Sequence, residues 1–211
     1  MKISIVCSSA DHPVNDYIVT WMNENKANHT IQLVRKIDEV ESGDILFLIS
    51  CSEIVKKQHR DKFKKTLVLH ASDLPVGRGW SPHIWDILNG AEKITLTVLE
   101  AEDKVDTGNI WKKEIIQIPR TDLFDEINAK LFQAEMRLMS FAIKNFEGMV
   151  PSPQENTEAT YHPKRTPADS EIDINKPLST QFNLLRVADP NRFPAFFTYE
   201  GVRYTLRVEK L

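Results

Sequence analysis

The segment Asp44–Ile49, DILFLI, is apolar on both of its alternating faces, and such a strand suits a sheet covered on both sides. Ile3–Val6 and Thr66–His70 are two further compact apolar runs of strand length. Between and after them the spacing turns helical. Val14, Ile18, Trp21 and Met22 line one helical face, and the Lys- and Arg-rich stretch Glu53–Phe63 is expected as another helix. Thr30–Val34 is a strand candidate between the first helix and DILFLI. Strands that alternate with helices imply an α/β fold with a mostly parallel, Rossmann-like sheet flanked by helices.

The pattern continues through the middle of the chain. Ser81 can cap a helix, Pro82 fits its first turn, and Asn89-Gly90 can end it. Ile94–Leu99 alternates with Thr95 and Thr97, as a half-exposed strand would, and Glu114–Ile118 is a further strand. Thr121–Phe146 carries a long apolar stripe of Phe124, Ile127, Leu131, Ala134, Leu138 and Phe141, with Met136 and Met139 as core filler. These elements make residues 1–147 one domain. Residues 148–177 are rich in Pro and polar residues and read as an extended linker, neither helix nor strand. Residues 178–211 then give a short helix, Leu178–Val187, and a β-hairpin, Ala195–Tyr199 with Val202–Val208, turning at Glu200-Gly201. No internal repeat interrupts this order.

Several function classes drop out. A formal net charge of −3 gives no bulk attraction to nucleic acid, so nucleic acid is not expected as a partner. No stretch approaches the roughly 18 apolar residues of a membrane span, and MKISIVCSSAD reads as a first strand, not a signal peptide. The two cysteines, Cys7 and Cys51, each follow a strand-like run. A disulfide between them is one reading; reduced thiols in a cytoplasmic protein are the simpler one. The turn CSSADHP lacks the glycines of a dinucleotide fingerprint, and no GxxxxGK(S/T), HExxH or GxSxG occurs. The six histidines show no metal-ligand spacing, so no metal is expected.

Ligands of parallel sheets bind beyond the carboxyl ends of the strands. That rule gathers Cys7-Ser8-Ser9, Cys51-Ser52 and His70 around one crevice. His70 ends a buried strand, and Asp106 lies in the polar turn KVDTGN after the next one. A histidine and a carboxylate brought to one crevice form an acid/base pair. Taken singly, the plain readings are a strand-end histidine bonded to a backbone carbonyl and an aspartate in a turn.

The segments LVLHASDLPVGRGWSPHIWDILNG and ITLTVLEAEDKVDTGNIW together resemble the core of the folate-dependent formyltransferases. That family acts on glycinamide ribonucleotide, methionyl-tRNA or nucleotide-linked amino sugars. It carries Asn-x-His at a strand end, then Leu-Pro and Arg-Gly, and later Asp-x-Gly. The matching residues are His70, Leu74-Pro75, Arg78-Gly79 and Asp106-Thr107-Gly108. RGWSPHIW looks most like the sugar N-formyltransferases, around a methionyl-tRNA formyltransferase-like core. HPKRTPADSEID and LLRVADPNRFPAFFTYEG resemble the family's linker and the opening of its C-terminal domain, so the likeness spans nearly the whole chain.

The resemblance implies transfer of a formyl group from 10-formyltetrahydrofolate to a primary amine, with a nucleotide-sugar as the favoured amine. His70, kept cationic by Asp106, would stabilise the tetrahedral oxyanion, and Asp106 would help move the proton from the attacking nitrogen. The family's Asn falls on Val68, which donates no hydrogen bond. Losing an oxyanion donor costs about 3–4 kcal/mol where enzymes depend on it; Ser72 or a backbone N–H is the candidate replacement. The pterin loops map to Ser52-Glu53-Ile54 and Asp103-Lys104-Val105, with core packing as the other reading for Ile54 and Val105. On the substrate side, Ser8, Ser9 and Asp11 either meet the acceptor or cap a turn. Arg78 either touches phosphate or, as favoured here, holds its loop. Trp80 offers a stacking surface, whereas Trp85 reads as helix packing. Lys164 and Arg165 either reach a diphosphate or form a solvated pair. Open alternatives are formylation of an aminoacyl group on a carrier protein or tRNA, and a non-catalytic folate- or nucleotide-binding module. A homodimer is also open.

Overall fold

The computed structural model describes residues 1–211. β1 (Lys2–Val6) is flanked by β2 (Thr30–Val34) and β3 (Gly43–Leu48), each paired parallel to it. β4 (Phe63–His70) continues the sheet parallel to β3. The two-residue β5 (Arg78–Gly79) stands outside it. β6 (Lys93–Glu100) and β7 (Ile110–Gln117) complete it as antiparallel neighbours, giving the order β2-β1-β3-β4-β6-β7. The order reverses at β1, so a crevice opens beyond the ends of β1 and β3.

Alternation along DILFLI sets the two faces. Ile45, Phe47 and Ile49 join the larger core, where α1 (Val14–Asn25) contributes Val14, Ile18 and Trp21. Leu46 and Leu48 turn to a smaller cluster with Val6, Ile37, Val40, Val55 and Phe63, against which Val68 packs. Each aliphatic side chain fully buried in this way contributes about 1.5–3 kcal/mol.

The region expected as a helix over Glu53–Phe63 keeps only one turn, α2 (Lys57–Arg60). Phe63 instead opens β4 opposite Gly43, because parallel pairing satisfies a buried backbone that a short basic helix would leave open. α3 (Pro82–Leu88) begins and ends where its punctuation places it. Ser81, however, makes no capping bond with its side chain and sits in the left-handed region at φ 46°. Thr97 is fully buried, not half-exposed, because the chain after β4 lies over that face: its hydroxyl donates to the Ser72 carbonyl at 2.7 Å.

α4 (Phe124–Lys144) lays its apolar stripe across the sheet and is tied to α1 by a 2.8 Å bond from Trp21 Nε1 to Ser140 Oγ. Met139 is fully buried and Met136 packs against the same core. The linker after α4 is not wholly irregular. It contains a two-residue strand, β8 (Tyr161–His162), parallel to β5, and a 3-10 turn over Pro167–Ser170. α5 (Leu178–Val187) is held by the buried Arg186, whose Nη1 donates to the Pro119 carbonyl at 3.0 Å. β9 (Ala195–Tyr199) and β10 (Val202–Leu206) form the expected hairpin, with positive φ at both Glu200 and Gly201.

One polar side chain sits wrongly for a stable core. Glu135 on α4 is 5% exposed, and its Oε2 has no hydrogen-bond partner. Burial pushes its carboxyl up from 4.5 to about 8. The folded chain therefore keeps a proton that the unfolded chain releases above pH 4.5. Stability that is full below that value falls as pH rises towards 8, by about 1.4 kcal/mol per unit. Glu135→Gln removes this slope. Its thermal midpoint is expected to exceed the parent's by several degrees at pH 7.5 and to converge with it near pH 4.5, as melts across that range will read.

Candidate functional site

His70 ends β4 opposite Thr97, and alternation puts its side chain on the same side as Val68. Its Nε2 donates to the Gly77 carbonyl at 2.9 Å, which fixes a proton on that nitrogen. The plain reading of a histidine bonded to a backbone carbonyl thus describes half of the ring. The other half faces a carboxylate: Nδ1 stands 3.6 Å from Asp106 Oδ1, close enough to interact but too far for a direct hydrogen bond. Both residues are 8% exposed.

Asp106 is itself fixed by the loop that holds the imidazole. Its Oδ2 accepts a 2.9 Å bond from the Gly79 N–H, so Oδ1 is the oxygen turned to His70. Its φ of 56° is left-handed, a conformation Asp tolerates better than most residues. Two residues on, a Cβ at Gly108 would lie 1.8 Å from the Glu100 carbonyl oxygen, so the DTG turn admits only glycine there.

The linker closes over this pair. Arg78 N donates to the Thr160 carbonyl at 2.9 Å and Trp80 N to the His162 carbonyl at 3.1 Å. Gly77 N donates to Thr160 Oγ1 at 2.8 Å. Gln154 Nε2 donates to the carbonyls of Asp106 and Gly108, at 2.8 and 3.0 Å. Arg78 is spent on the linker, donating to Gln154 Oε1 at 2.7 Å and Tyr161 Oη at 3.2 Å. Trp85 stacks on His162 and donates to the Pro163 carbonyl, a packing role. Trp80 is 41% exposed and lies under Lys164 Nζ, 4.7 Å from its ring. Arg165 Nη2 donates to the Asp169 carbonyl in the 3-10 turn, so Lys164 and Arg165 are not a free solvated pair.

Towards the crevice, Ser8 Oγ accepts from the Ser52 N–H at 2.9 Å and so joins the β1 and β3 loops. The turn after β1 is braced by Asn15, which donates to the Ser9, Ala10 and His12 carbonyls, while Asp11 is exposed. Glu53 Oε1 accepts from Ile37 N. Arg60 links the two loops matched to a pterin site, donating to the Val55 carbonyl at 2.8 Å and to Asp103 Oδ1 at 2.6 Å. Lys104 is exposed, and its carbonyl accepts from Thr107 Oγ1. Ile54 and Val105 are 69% and 49% exposed, so neither is core packing. Ser72 is the reverse: 1% exposed, with an Oγ that has no partner.

Two imidazoles absent from the sequence reading share the electrostatics of this region. Burial, with repulsion from His70 and His12, pushes His83 down to about 4. Burial and then Arg192 push His12 to about 4 as well. Both are neutral at pH 7. Gln154, Thr160 and Arg60 were also missed. They sit in polar or basic runs whose partners lie tens of residues away, and no local pattern marks them.

Comparison with known proteins gives a consistent answer. The family model described as Formyl transferase matches residues 4–143. Among solved structures, a methionyl-tRNA formyltransferase from Clostridium thermocellum superposes with TM-score 0.85 at 23% identity, over 100% of this chain and 93% of that one. A sugar N-formyltransferase from Shewanella sp. gives TM-score 0.73 at 16% identity, over 99% and 97% of the two chains. HypX from Aquifex aeolicus in complex with tetrahydrofolic acid gives 0.78 at 18% identity, over 99% of this chain and 37% of that one. At these identities the likeness is one of fold.

Proposed function

Since the chain belongs to the formyl transferase family, we propose that it moves a formyl group from 10-formyltetrahydrofolate to a primary amine through His70 and Asp106. The observation that carries this reading is which atoms remain free. Nε2 of His70 is spent on Gly77 and Oδ2 of Asp106 on Gly79, leaving Nδ1 and Oδ1 facing each other at 3.6 Å. The amine nitrogen attacks the formyl carbon, and His70, carrying a second proton on Nδ1 as the imidazolium, donates from that nitrogen to the oxygen that takes up charge. Asp106 Oδ1 accepts a proton from the attacking nitrogen and returns it to the folate nitrogen as its bond to the formyl carbon breaks. The formylated amine and tetrahydrofolate leave. No metal enters these steps.

The loops at Ser52-Glu53-Ile54 and Asp103-Lys104-Val105 suit the pterin in this reading. Arg60 holds them together, and Ile54 and Val105 offer exposed apolar surface to a flat ring. The acceptor is a nucleotide-linked amino sugar. Supporting it are the RGWSPHIW wording and the exposed Trp80 beneath Lys164, a stacking surface beside a cation. Ser8, Ser9 and Asp11 stand at the crevice for its sugar, and Arg165 lies near Lys164 along the linker. Residues 1–147 carry the chemistry, 148–177 close it, and 178–211 are an appendage. Free thiols at Cys7 and Cys51 suit a cytoplasmic setting.

The test is incubation with 10-formyltetrahydrofolate and a panel of nucleotide-linked amino sugars, methionyl-tRNA and an aminoacylated carrier. Tetrahydrofolate release and a 28 Da gain on one acceptor (about the mass of CO) are the expected result. Val68 favours a second reading, a binding module; tetrahydrofolate binding without release for any amine would establish it.

A further inference from the structure

We propose that Gln154, in the linker, is a positioning residue that sets the spacing of the His70–Asp106 pair, an inference that rests on the reading just given. Its three hydrogen bonds are divided between the two loops that carry the pair. Nε2 donates to the Asp106 and Gly108 carbonyls, on either side of the turn that aims the carboxylate. Oε1 accepts from Arg78, the residue after the carbonyl that anchors His70 Nε2. This amide orientation is the one that matches two carbonyls with donors and a guanidinium with an acceptor. Gln154 touches neither reacting side chain and acts through both loops.

The turn it holds needs holding. Asp106 keeps a left-handed backbone, which persists when the surroundings over-determine it. Its carboxylate is fixed from the other side by Gly79, next to Arg78. Gln154, Arg78, Gly79 and Asp106 thus close a ring of bonds that ties the turn aiming Oδ1 to the loop anchoring His70, whose Nδ1 lies 3.6 Å from that oxygen. Cutting that ring lets one loop drift against the other, and a 1 Å misplacement of reacting groups costs on the order of 100-fold in rate.

Gln154→Met keeps the side-chain volume and removes all three bonds. It is expected to lower kcat by about 10- to 100-fold, with KM for 10-formyltetrahydrofolate within about twofold and a thermal midpoint within a few degrees of the parent. Gln154→Glu keeps the acceptor for Arg78 but sets a carboxylate against two carbonyls. Its rate relative to the parent is expected to rise as pH falls towards 5, where protonation restores one donor. Side-chain NMR of His70, with His29 and His59 as internal references because they bond instead to the Met1 amine and to Asp38, reads the pair without turnover, and a change in His70 that leaves those two unmoved is expected in Gln154→Met. An unchanged kcat and unchanged His70 signal overturn the proposal. So does joint loss of turnover, tetrahydrofolate binding and fold, since the residue is then merely structural. A parent that turns over no amine defeats the reading of function instead, and the His70 signal still decides for or against Gln154.

Discussion

His70→Ala is expected to reduce formyl transfer by at least 100- to 1,000-fold, the order seen when an oxyanion donor is removed, while the protein stays folded. The substitution removes the imidazole nitrogen that faces Asp106 Oδ1 across 3.6 Å. It also strips the Gly77 carbonyl of its donor, and an unmade buried bond costs about 1–3 kcal/mol. That loss is local. The 27-residue larger core contains Leu67, Leu69 and Ala71 of this strand region but not His70, so the sheet keeps its main packing. A melt lower by a few degrees, retained tetrahydrofolate binding by calorimetry, and no detectable tetrahydrofolate release make the expected pattern. Full turnover in this variant would remove His70 from the chemistry.

Val68→Asn is expected to act in the opposite direction, raising kcat by about 10- to 100-fold. Val68 lies two residues before His70 on the same side of β4, at the position where the resemblance places an amide. It is half-buried and packs against the smaller cluster around Val6 and Leu48. The gain is a second donor to the oxyanion, worth up to about 3–4 kcal/mol at full strength. The cost is a polar amide replacing methyl groups on that cluster, about 1–2 kcal/mol of stability. Steady-state kinetics and a melt separate the two effects. Ser72 supplies the control. Its hydroxyl is buried and unpartnered beside the same loop, so an unchanged rate in Val68→Asn together with a fall in Ser72→Ala would assign the missing donation to Ser72.

The elements that sequence reading located well are those whose own residues decide the outcome. Thr30–Val34 and Leu178–Val187 fall where their patterns put them, because β-branched runs and helical spacing act locally. The hairpin turn was legible from Glu200-Gly201 because few dipeptides accept two positive φ values in succession. The misreadings occur where a distant partner decides. β4 begins at Phe63 because Gly43 is there to pair with it, and Thr97 is buried because the chain after β4 lies over a face whose threonines suggested half-exposure. The site divides in the same way. His70 and Asp106 were legible from a strand end and a polar turn, and Gly108 only through the resemblance's Asp-x-Gly; the Glu100 carbonyl that crowds its Cβ position is a contact no local pattern marks. Gln154 was not. It sits in PSPQENTEAT among residues that read as solvated, and only the path of the linker brings it to Asp106, 48 residues earlier.

The linker's return across the front of the sheet also bears on how the protein is made. His70 and Asp106 leave the ribosome well before Gln154, Thr160 and His162, which brace the loops around them. A nascent chain that has just finished α4 holds every strand of the large sheet, yet the loops around His70 and Asp106 still lack their bonds to the linker. Those bonds therefore arrive late in synthesis, from residues that belong to no large element of the fold.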